Sequence, residues 1–128
     1  MSRREIMPDG LYDSTQNQYV HAIEADGTLY MSGQVARDPD GNVVGDDVET
    51  QTRQALENVG AILAETDADF DDVTKVTGYL TKIHDGYDAY KRAFDEFFDP
   101  PYPCHTMLGV DALAHPDLMV EIEIEVPL

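Results

Sequence analysis

The stretch LMVEIEIEVPL, residues 118–128, alternates between apolar and mostly acidic side chains almost without a break. A period of two marks a β-strand, because successive side chains leave the backbone on opposite faces. Leu118, Val120, Ile122, Ile124 and Val126 share one face; Met119, Glu121, Glu123 and Glu125 share the other. A strand of this kind belongs to a sheet that is covered on one side only.

The rest of the chain supplies the cover. NQYVHAIEADGTLYMSGQVA reads as two strands around Asp26-Gly27, an Asp-Gly pair suited to a type I′ hairpin turn. DPDGN, residues 38–42, is a second turn. From Asp46 or Asp47 the period becomes helical, with Val48, Thr52, Ala55, Leu56, Val59, Ile62 and Leu63 on one face and acids at the start, where the helix dipole favours them. An acidic loop, ETDADFDD, leads to the β-branched strand VTKVTGYLTKI. A second helix is expected in GYDAYKRAFDEFFD, with Tyr87, Tyr90, Phe94, Phe97 and Phe98 as its core stripe. DPPYP stops it, and the strand CHTMLGV follows.

The order is β-β-α-β-α-β-β, with room for a short strand near the N-terminus. Two amphipathic helices need one apolar sheet face. The expected fold is therefore α+β: a two-layer sandwich with a mixed sheet and both helices on one face. Residues 1–128 form one domain on this reading. The uncovered face carries the glutamate row together with apolar or small residues such as Met107, and this points to oligomerisation.

Twenty-six acids against eight Lys and Arg give a net charge of −18. Such a surface repels phosphate backbones and anionic lipid, so neither nucleic acid nor a membrane is expected as partner. The acids are scattered, as in proteins of salt-loving organisms, where carboxylates keep the surface hydrated in molar salt. The N-terminus lacks the apolar core of a signal peptide, and the single cysteine fits a reducing compartment, so a cytoplasmic location is expected.

Cys104 and His105 are adjacent on a strand and so face opposite ways, which argues against a catalytic dyad; Cys104 is expected to be a small packing residue. His21, His84, His105 and His115 show no metal spacing, and no nucleotide or cofactor motif is present. No metal or cofactor is expected. In the glutamate row, burial of one carboxylate would raise its pKa and suit it to acid–base work on water. Ser32-Gly33-Gln34 puts a glycine inside a strand, a place where backbone or ligand comes close.

QYV around Tyr19, YMSGQVA (30–36), QTRQALENVGAIL (51–63), DDVTKVTGYL (71–80), YKRAFDEFF (90–98) and VEIEIE (120–125) together resemble the RidA/YjgF family of reactive-intermediate deaminases. The resemblance implies a chorismate-mutase-like fold and a homotrimer with ligand clefts between subunits. It also implies hydrolysis of enamines and imines of the 2-aminoacrylate type to 2-keto acids and ammonia. Tyr19, Ser32 and Gly33 carry over as substrate-binding residues, with Asn17-Gln18 before Tyr19 where the family has Gly-Pro; Glu121 carries over as the catalytic carboxylate. The family's Pro-x-Arg-Ser/Thr segment aligns with Pro103-Cys104-His105-Thr106, so His105 stands in place of a carboxylate-gripping arginine, beside Thr106; Met107 replaces a family cysteine.

Histidine offers one N–H where arginine offers a two-pronged fork, a loss of about tenfold to hundredfold in binding. Its grip should strengthen below a pH of about 6.5, with nearby carboxylates moving that point upward. Three readings follow: a deaminase, a non-enzymatic small-molecule binder or regulator that uses the same cleft, and the endoribonuclease label that circulates for the family. The charge argues against the last.

Overall fold

A computed structural model of the chain describes residues 2–128. The strands are β1 (Arg3–Ile6), β2 (Ala22–Ala25), β3 (Thr28–Met31), β4 (Gln34–Val35), β5 (Lys75–Leu80), β6 (Cys104–Gly109) and β7 (Val120–Pro127); the helices are α1 (Val48–Leu63) and α2 (Ile83–Phe94). One seven-stranded sheet runs β1-β2-β3-β7-β5-β6, with β4 also paired to β7. Only β5 and β6 run parallel; α2 connects them.

The strand read from the alternating C-terminal residues is the hub. β7 pairs with β3 and β4 on one side and β5 on the other. Its apolar residues Val120, Ile122, Ile124 and Val126 are buried with Leu56, Val59 and Ile62 of α1. The layers are thus the expected α+β sandwich; β1 is the short N-terminal strand for which the reading left room, and β4 is split off from the second strand read in YMSGQVA.

Local chemistry sets the boundaries. Asp26 and Gly27 both take positive φ, 50° and 79°, as a type I′ turn requires. Asp47 caps α1, its carboxylate accepting from the Thr50 backbone N–H (2.8 Å) and hydroxyl (2.9 Å). Asp38 organises the second turn by accepting from the N–H groups of Asp40 and Asn42.

Four expectations need correction. α2 starts earlier than expected and ends at Phe94; Phe97 and Phe98 pack on the core from the turns beyond it. Tyr87 is exposed, lying under the Lys91 ammonium instead of in the core. Met107 faces the helices, close to Tyr90 over Gly78, so the apolar groups of the open face include Tyr30, Tyr79 and Leu108 and not Met107. Cys104 is exposed and not a packing residue. β6 is an edge strand paired with β5, and Cys104 points to the side without helices, where none of the described residues covers it.

Gln51 ties the loops to the core. Fully buried on α1, it donates to the carbonyls of Gly45 (3.1 Å) and Asp117 (2.8 Å) and accepts from the Met119 N–H (2.8 Å). It therefore sets where β7 begins. Gln51→Ala leaves these backbone groups without their partner and should lower stability by about 2–3 kcal/mol in denaturant unfolding at fixed salt.

Candidate functional site

The break between β3 and β4 builds the site. The Ser32 hydroxyl donates to the Val20 carbonyl (2.7 Å), and the Ser32 N–H donates to that of His21 (2.9 Å). Below them, the buried Gln34 amide donates to the Ser32 carbonyl (3.1 Å) and to His21 Nδ1 (3.3 Å). The Tyr12 carbonyl, 2.7 Å from His21 Nε2, can only accept, so Nε2 carries the proton. The Ser14 hydroxyl donates to the Tyr19 carbonyl (2.7 Å), and the Tyr19 ring meets His21 edge-on. His21 and Gln34 thus join the Tyr12, Tyr19 and Ser32 segments into one floor.

Glu121 completes it from β7. A Cβ on Gly33 would collide with the Glu121 side chain, 2.6 Å from its Cδ, so the carboxylate lies across the bare glycine backbone. This is the close approach expected of the Ser-Gly-Gln stretch; the visitor is a carboxylate of the same chain. Tyr19, Ser32, Gly33 and Glu121 line one cavity of about 590 Å³. Tyr12, Val35, Arg37 and Leu118 also line it; sequence reasoning missed them. Arg37 had one signal, its place just before the Asp38–Asn42 turn. A slightly larger hollow, about 660 Å³, lies among Arg4, Glu24, Glu65 and Leu128 and holds none of the expected site residues.

The electrostatics are uneven. Burial, then the Glu123 charge, raises the Glu121 pKa above the usual carboxylate range. Burial raises the Tyr19 phenol, with the Arg37 charge working against it. Glu123 accepts a hydrogen bond from Tyr79, whose phenol is pushed up to about 12 mainly by that bond.

His105 and Thr106 do not line this cavity. His105 lies on the helix side of the sheet, stacked on Phe94 (4.6 Å between centroids), with Nε2 hydrogen-bonded to the Tyr90 hydroxyl (2.8 Å). Thr106, on the open face, accepts from Lys75 Nζ (2.6 Å). On β5, His105 is level with Val76, and Glu121 with Tyr79; the two side chains leave opposite faces of the sheet. One chain therefore does not bring His105 to Glu121. The expected upward shift of His105 is also reversed: the residue keeps exposed surface, but the packing of its ring against Phe94 and Tyr90 takes water from it and, with the Lys75 charge second, lowers its pKa. No cluster of metal-binding side chains is present among the described residues.

Residues 13–127 match the family model described as Endoribonuclease L-PSP. AldR of Lactococcus lactis, which carries a regulator's name, is 39% identical over 107 residues, 83% of each chain. YjgH of Escherichia coli is 31% identical over 129 residues, 99% of this chain and 98% of its own. A solved structure of a YjgH protein superposes with a TM-score of 0.91, covering 100% of this chain and 98% of that one at 31% identity. A human protein named 2-iminobutanoate/2-iminopropanoate deaminase is 34% identical over 96 residues, 74% of this chain and 69% of its own.

The lowered His105 pKa is open to measurement. Its imidazole resonances should titrate with a midpoint below about 6.5, and Lys75→Met should move the midpoint up by removing the opposing charge.

Proposed function

Since the chain belongs to the Endoribonuclease L-PSP family, the RidA/YjgF proteins, we propose that its Tyr19–Glu121 cleft hydrolyses small enamines and imines to 2-keto acids and ammonia. The observation that carries the reading is Glu121, a part-buried carboxylate of raised pKa laid across Gly33 beside Tyr19 and Ser32. The deaminase names of several relatives support the reaction class.

The chemistry needs a group that moves protons near neutral pH. Water adds to the carbon of the C=N bond as Glu121 takes its proton. Glu121 returns the proton to nitrogen to give a carbinolamine, then takes the hydroxyl proton and delivers it to the amine as the C–N bond breaks, so that ammonia leaves and a ketone remains. Imine and water go in; 2-keto acid and ammonia come out. Tyr19 and the Ser32–Gly33 backbone hold the substrate against this carboxylate.

A homotrimer belongs to the same proposal. The open sheet face presents Tyr30 and Leu108 to solvent, and the outer edge of β6 has no strand beside it. In this arrangement His105 and Thr106 would reach the cleft of a neighbouring copy. The endoribonuclease name is not carried over, because a charge of −18 repels an RNA backbone. No helix is long and apolar enough to cross a membrane among the described residues.

Glu121→Gln should lower kcat/KM for imine hydrolysis by about 10²–10⁴-fold. Glu121 must be ionised to accept a proton from water, so activity falls as pH drops through its raised pKa. The acid limb should therefore lie above the usual carboxylate range, and Glu123→Gln, which removes the like charge, should shift it to lower pH. Binding of a 2-keto acid without turnover would favour the non-enzymatic reading. Sedimentation should show trimers in molar potassium chloride, with smaller species appearing as salt is removed and the carboxylate surfaces repel; a monomer at every salt concentration contradicts the shared cleft.

A further inference from the structure

We propose that Arg37 is the residue that grips the anionic group of the ligand, and that it orients a small monocarboxylate with its reactive carbon toward Glu121. The inference rests on the cleft reading above and names the specificity determinant of that site.

Arg37 is the only basic side chain that lines the cleft among the described residues. In a chain of twenty-six acids and eight Lys and Arg, it also has no carboxylate within salt-bridge distance among the described residues, a condition it shares with Arg3, Lys75 and Lys82. Arg4, Arg53, Lys91 and Arg92 each pair with an acid; among the described residues no acid pairs with Arg37. Its guanidinium makes one hydrogen bond, from Nη1 to the Gly41 carbonyl at 3.3 Å. A guanidinium has five N–H donors, so most of them stay available to a ligand.

The group is also held in place. Its cation lies over the Tyr12 ring, 5.4 Å from the centroid. Tyr12 in turn packs against Gly41, where a Cβ would fall 2.7 Å from Tyr12 Cε1. The backbone is clamped as well. The Asn58 side-chain amide donates to the carbonyls of Val35 (3.0 Å) and Arg37 (3.3 Å), and Arg37 forms a bridge with Val43. A planar cation fixed in this way suits two-pronged binding of a carboxylate.

Two further observations agree. The Arg37 charge acts on the Tyr19 phenol, which places it within electrostatic reach of the cleft's aromatic wall. His105 is a poor candidate for gripping an anion, because one ring nitrogen is taken by Tyr90, the ring is stacked on Phe94, and that packing together with the Lys75 charge disfavours its cation. Inside the cleft, Glu121 repels a ligand carboxylate and Arg37 attracts it. The two charges together give the substrate one favoured direction.

The test compares 2-ketobutanoate with its neutral amide, 2-ketobutanamide, by calorimetric titration at one fixed potassium chloride concentration. The parent protein should prefer the acid by about tenfold to hundredfold. Arg37→Gln should abolish the preference while leaving amide affinity in place, Arg37→Lys should restore part of it, and Arg4→Gln, which removes a positive charge outside the cleft, should keep it. In the unsubstituted protein, the Arg37 Nε–H resonance should shift on adding the acid and stay still with the amide, a readout that does not depend on a variant folding. A preference that survives in Arg37→Gln, or one lost in Arg4→Gln, overturns the inference and leaves the cleft reading standing. If no protein binds either compound, the cleft reading falls and the inference with it.

Discussion

The two-sidedness of β7 is the constraint on which the rest depends. One side chain set, Val120 to Val126, is buried against α1 and its neighbours, and the other faces the side of the sheet without helices. Burial of about four branched apolar side chains contributes on the order of 1.5–3 kcal/mol each. A one-residue slip of β7 would bury Glu121, Glu123 and Glu125 and expose the isoleucines. The register that makes the core is therefore the register that places Glu121. The acid does not need a separate device to position it along the strand.

The remaining precision comes from small residues and amides. Gly33 leaves the space that the Glu121 carboxylate occupies. Gln51 fixes the chain just ahead of β7, and Gln34 and His21 lock the opposite wall. These buried polar groups are satisfied by backbone partners, so they cost little and specify much. Glu121 works the other way. Its folded pKa is raised, so its ionised form disfavours the fold; this contribution to stability is present at low pH and is lost as pH rises through the raised pKa. A group held at such a cost fits a chemical role better than a structural one.

The few cations show a division of labour. Arg92 ties the two helices together through Glu49, and Arg53 of α1 pairs with Glu96 just past the end of α2, both at the surface, where ion pairs contribute little and salt weakens them further. Lys75 places its charge beside His105 and Thr106 on the sheet edge. Among the described residues, Arg37 alone of these cations lines the cleft. With so few positive charges, each placement matters more to function than the overall charge, which is spread over the surface.

The periodic elements were legible in the sequence alone. The alternation of residues 118–126, the helical stripe from Val48 to Leu63 and the Asp26-Gly27 turn each state their local structure, because side-chain direction follows backbone period. The glycine of Ser32-Gly33-Gln34 also announced a close approach. What approaches it, the Glu121 carboxylate, comes from a strand near the other end of the chain, and no local pattern encodes that pairing. The same limit explains the misses. Cys104 and Met107 share one short strand, and only its place at the sheet edge beside α2 decides which faces solvent and which the core. Tyr87 fits the helical stripe, yet its ring is left exposed under the Lys91 ammonium. Arg37 looked like any charged residue before a turn until the fold set it over Tyr12 in the cleft. Sequence determined which segments were strands and helices; tertiary structure decided which side chains met, because contacts between distant segments depend on the packing of the whole sheet.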